Sequence, residues 1–71
     1  MPTEKQQQAI DLENRLRSRF PKLTIAVVPA GEGLVEAMAK SPDQPTCMKQ
    51  KFEAGDYGGI ESAIWAIFGP L

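Results

Sequence analysis

"LVEAMAKS", residues 34–41, decides the fold. Leu, Glu, Ala, Met and Lys are all good helix formers, so composition alone favours a helix. The context favours a strand. "PAGEG", Pro29 to Gly33, stands just before it, and its two glycines can adopt the positive φ of a tight turn. A five-residue loop of this kind suits a β-hairpin, and Val35, Ala37 and Ala39 then face one way. The stretch is therefore read as the return strand of a hairpin.

The outgoing strand of that hairpin is "KLTIAVV", Lys22 to Val28. It is rich in β-branched residues and apolar on both sides, with Leu23, Ile25 and Val27 on one and Ala26 and Val28 on the other. A strand apolar on both faces is expected at the centre of a sheet, or with helices on one face and a partner on the other. After the return strand, "PDQP", Pro42 to Pro45, marks a second turn. "TCMKQKFEA", Thr46 to Ala54, then reads as a third strand. Met48, Phe52 and Ala54 point inward, Lys49, Lys51 and Glu53 outward, and Gln50 interrupts the inward row. Outward charges of this kind protect an edge strand from aggregation.

Helices flank the three strands. Thr3 and Gln6 form a capping box at the head of the first, which is expected to run from Thr3 to Phe20. Ala9, Leu12, Leu16 and Phe20 make its apolar stripe. Asp11 with Arg15, and Glu13 with Arg17, are expected ion pairs four residues apart. Pro21 stops the helix, because the residue before a proline avoids the α region. The last helix is expected over Ile60 to Phe68, closed by Gly69 and Pro70. Its inward stripe is Ile60, Ala63, Ile64, Ile67 and Phe68. The fold expected is a single α+β domain over residues 1–71, in α-β-β-β-α order, with a three-stranded antiparallel sheet and both helices on one face.

That order and length resemble the double-stranded-RNA-binding domain over nearly the whole chain, at the level of topology. The signal of that family is a lysine cluster opening the last helix. The matching place here reads "GGIESA", with Glu61 where positive charge is wanted. The resemblance thus implies a fold and brings no RNA-binding residues with it.

The bulk chemistry narrows the function. The net charge is −1 and the pI near 5.3, poor material for a duplex binder that must displace counterions from phosphates. There are no histidines, which removes the commonest general base and metal ligand. The lone Cys47 allows no internal disulfide and fits a reducing compartment. It is read as a partly buried thiol, since no histidine is present to activate it. The opening "MPTEKQQQ" has no apolar core, and no run approaches the roughly 18 residues of a membrane span. A cytoplasmic chain without a membrane segment is expected.

Three local features need a reading. "GDYGG", Gly55 to Gly59, could cradle a phosphate at a helix N-terminus. It lacks the spacing and the lysine of a phosphate loop, and Asp56 and Glu61 put negative charge where the anion would sit. It is read as a tight strand-to-helix corner with Asp56 as cap. Arg15, Arg17 and Arg19 are read as a solvated helix face. Trp65 lies about 130° from the centre of the apolar stripe of its own helix, at about 100° per residue. It folds over the helix edge onto Tyr57 or Leu71, or it is an anchor for a protein partner, where tryptophan is enriched, or it stacks on a base as in single-strand binders.

The function expected is a small, acidic, non-catalytic protein-binding module with Trp65, Tyr57, Glu61 and Asp56 as partner-binding residues. No catalytic residue, cofactor or metal is assigned. Compact acidic chains of this shape include inhibitors and adaptors, among them phage or mobile-element anti-defence proteins such as anti-CRISPRs. A homodimer is the other way to cover the two-faced strand. The alternative function is an RNA- or DNA-binding domain using Arg15, Arg19, Lys49 and Lys51.

Overall fold

A computed structural model describes residues 3–69. Its order is α1 (Glu4–Arg19), β1 (Thr24–Pro29), β2 (Leu34–Lys40), β3 (Cys47–Glu53) and α2 (Tyr57–Phe68). The strands form one antiparallel sheet in the order β1-β2-β3. The α-β-β-β-α reading holds, and residues 34–40 supply the middle strand.

The capping box explains where α1 begins. The Gln6 N–H donates to Thr3 Oγ1 at 3.2 Å, and the Thr3 N–H donates to Gln6 Oε1 at 2.8 Å. Two otherwise orphaned donors are thereby satisfied. The helix buries Ala9, Leu12 and Leu16, and Phe20 is buried at its C-cap.

The hairpin forms because the loop can turn. Gly31 and Gly33 sit at φ of 116° and 68°, a region that side chains with a Cβ rarely adopt. The turn sets the register: Ile25 faces Ala39 and Val27 faces Ala37. Val35, Ala37 and Ala39 are all buried on one face of β2, beside Ile25, Val27 and Met48. A shift of one residue would turn that whole row toward water. The two helices cover this face, and Ile60, Ile64 and Phe68 complete the core.

Several expectations are corrected. β1 is an edge strand, not a central one. Its apolar second face, with Ala26 half-buried and Val28 exposed, is open. The sheet places β2 between its neighbours because β2 follows β1 through a tight hairpin and β3 follows β2 through a short turn. Helix α2 begins at Tyr57 and not at Ile60, since the Asp56 side chain caps it by accepting from the Gly59 N–H at 3.0 Å. That carboxylate lies where a Cβ on residue 59 would stand, so a larger residue there would have to displace the Asp56 side chain. Ile67 is 40% exposed rather than in the core. Phe52 is half-buried, because β3 lies at the margin of the helical layer. Cys47 is exposed, not partly buried, because its position in β3 faces away from the core. Asp11 accepts from Gln7 Nε2 at 3.0 Å, while Arg15 turns to an aromatic ring instead of to Asp11. Pro70 and Leu71, expected to close the last helix and to cover Trp65, lie outside the described residues.

Candidate functional site

The four residues singled out from sequence lie at the head and along one side of α2. Asp56 is occupied as the N-cap. Tyr57, Glu61 and Trp65 follow at intervals of four, so they form one row along the helix. Arg15 and Arg19, also four apart on α1, interleave with them. The Arg15 guanidinium lies over the Tyr57 ring, 3.9 Å from its centroid. Arg19 Nε approaches Glu61 Oε2 at 3.9 Å, and its guanidinium lies 5.5 Å from the Trp65 ring centroid. Trp65 itself is half-buried and meets Phe20 edge-on, with centroids 5.9 Å apart. Such aromatic pairs contribute about 0.5–1.5 kcal/mol beyond area burial.

The row is therefore engaged within the chain. It forms a seam between the helices, with Trp65 folded onto Phe20. The Tyr57 hydroxyl is held above its ordinary range, first by burial, then by its interaction with the Glu61 carboxylate, with Arg15 and Arg19 opposing the shift. Beside Trp65 a small cleft of about 90 Å³ opens between Arg19, Phe20, Pro21 and Lys22.

The opposite surface of the sheet is different. Thr24, Ala26, Glu36, Met38, Lys40, Cys47, Lys49, Lys51 and Glu53 occupy the positions that alternate with the core row, and no helix covers them. Ala26 and Met38 are paired in the ladder and line a shallow hollow of about 280 Å³ together with Thr24, Ala39, Lys40, Cys47, Met48 and Lys49. Val28 and Leu34 extend the apolar strip and are 41% and 37% exposed. Sequence reasoning named none of the hollow's β2 residues as a site. The signal was Met38, a large apolar residue between Glu36 and Lys40 on the side of β2 away from its buried row.

The cations proposed for nucleic acid do not share a surface. Arg15 and Arg19 lie in the helical seam, whereas Lys49 and Lys51 lie on the open face of the sheet. That face carries no aromatic ring on which a base could stack, because Phe52 alternates to the other side. Among the described residues, no three acidic or cysteine side chains gather as a metal site would need. No helix among them is long and apolar enough to cross a membrane. The chain matches no family model, no curated protein and no solved structure.

Proposed function

We propose that this chain is a non-catalytic, protein-binding module of the inhibitor or adaptor class, and that it meets its partner with the open face of its sheet. One observation carries the reading: the apolar patch at Ala26 and Met38, on the side of the sheet away from the core, is left without a cover by the chain's own helices. The hollow is shallow and open on a sheet face, whereas small-molecule sites are concave and bury most of their ligand. It suits one or two side chains of a protein better than a buried metabolite. The surrounding lysines and glutamates supply a polar rim, as protein interfaces have.

A second reading keeps Trp65 as the anchor, because the cleft beside it is lined by the tryptophan, Phe20 and two cations. At about 90 Å³ it has room for less than the sheet hollow.

Affinity capture from the source organism, run in parallel with wild type, Met38→Glu and Trp65→Ala, separates these readings. A protein held in stoichiometric amount by wild type and Trp65→Ala, and lost with Met38→Glu, is the expected result. Loss with Trp65→Ala alone would move the site to the helical seam. Recovery of nucleic acid and no protein would replace protein binding with the alternative function.

A further inference from the structure

The backbone pattern of the sheet points to how that partner is held. The Ala54 N–H donates to the Gly33 carbonyl at 2.8 Å, across the β2–β3 ladder. Backbone groups alternate sides along an antiparallel strand. Phe52, Gln50 and Met48 therefore bond toward β2, and Lys51, Lys49 and Cys47 turn their N–H and C=O groups outward. Among the described residues, no side chain or loop hydrogen-bonds those outward groups. Gln50 is exposed even though its position faces the core side, so the edge is accessible from both faces at its midpoint. The outer edge of β1 is treated otherwise. There Glu13 Oε1 accepts from the Val27 N–H at 3.1 Å, and Arg17 Nε donates to the Ile25 carbonyl at 3.1 Å.

Resting on the protein-binding reading above, we infer that the β3 edge takes up an extended acidic segment of the partner as a fourth strand. Main-chain bonds to Lys49 and Lys51 would hold the segment, and carboxylates at alternate positions would lie against the two lysine side chains on the open face. Strand addition gains affinity from the backbone and selects its partner through alternate side chains. The charges argue against a second copy. An antiparallel β3–β3 pair centred on Gln50 sets Lys49 against Lys51 twice, and like charges directly opposite are destabilising. The register centred on Lys51 sets Lys49 against Glu53, but it puts Lys51 against itself and needs the Glu53 carbonyl, which already accepts from Gly55 and Asp56.

The probe is a labelled nine-residue peptide with glutamate at alternate positions and valine between them, titrated against the full chain. Saturable binding is expected, with new hydrogen-exchange protection of the Lys49 and Lys51 amides. N-methylation of the peptide on the edge that bonds β3 should weaken binding at least tenfold, and N-methylation on its other edge should leave it within twofold. Lys49→Glu with Lys51→Glu should also cost at least tenfold, in a protein whose melting matches wild type. If those variants do not fold, the two N-methylated peptides decide the matter alone. Equal losses for both methylated peptides would mean charge attraction without strand addition and would overturn the inference. Protection of Lys49 and Lys51 in a dimer without peptide would assign the edge to a second copy, and the same protection by an oligothymidine strand would assign it to nucleic acid. No binding of the peptide, together with partner capture that still depends on Met38, would remove this inference and leave the protein-binding reading standing.

Discussion

On the β1 edge, α1 reaches down with a carboxylate and a guanidinium and occupies the backbone at Val27 and Ile25. On the β3 edge, two lysines stand beside backbone groups that nothing in the described chain occupies. Both edges belong to one sheet, and both must avoid indiscriminate pairing. The first is blocked by side-chain hydrogen bonds at two of its outward groups, and the second is guarded by charge. A side chain bonded to the backbone disfavours an incoming strand whatever its charge. A charge excludes positive strands and admits negative ones, so only the second edge can be selective.

The comparison stands on a core shared by both edges, and the largest effect should come from breaking it. Ile64 is fully buried, and Ile64→Ala should cost about 2–5 kcal/mol. In so small a domain that should abolish cooperative melting near room temperature. A variant that melts like wild type would mean that α2 does not seal the sheet.

Next is the closed edge. Glu13→Ala removes the acceptor of the Val27 N–H and the 3.6 Å ion pair with Arg17. A loss of about 1–3 kcal/mol is expected for the orphaned donor, read from denaturant midpoints. Faster exchange of the Val27 amide should accompany it. Unchanged exchange there would show that Glu13 does not protect the edge.

The helical seam gives a smaller, pH-dependent effect. The Tyr57 hydroxyl is held above its ordinary value of about 10 by burial and then by Glu61. The folded state thus binds that proton more tightly than the unfolded chain does. Its contribution is fully present below pH about 10 and is lost as the pH rises through the folded value. Melting temperatures should fall above pH 10 in wild type and fall less in Tyr57→Phe. The same decline in both would place the alkaline sensitivity elsewhere.

The smallest effect on stability belongs to the open edge. Lys49→Ala and Lys51→Ala should each change stability by less than about 0.5 kcal/mol, as surface substitutions do. The double variant should nevertheless aggregate sooner at high concentration, because its edge has lost its guard. If it instead loses as much stability as Glu13→Ala, the two edges are alike and the contrast fails.

The order of elements was legible in the sequence because each signal is local. Thr3 with Gln6, the glycines after Pro29, and the row Val35, Ala37, Ala39 act over a few residues, within reach of backbone sterics and side-chain periodicity. Even the open face left a trace, in Ala26 and Val28 on the second side of β1. Tertiary structure alone decided what distant polar groups do. The pairing of Glu13 and Arg17 was readable at a spacing of four, but their hold on β1 spans 14 and 8 residues. The same is true of Arg15 on Tyr57, Arg19 on Glu61, and Trp65 on Phe20. Long side chains choose partners only after packing has fixed which backbones lie side by side, and that choice left β3 as the uncovered edge.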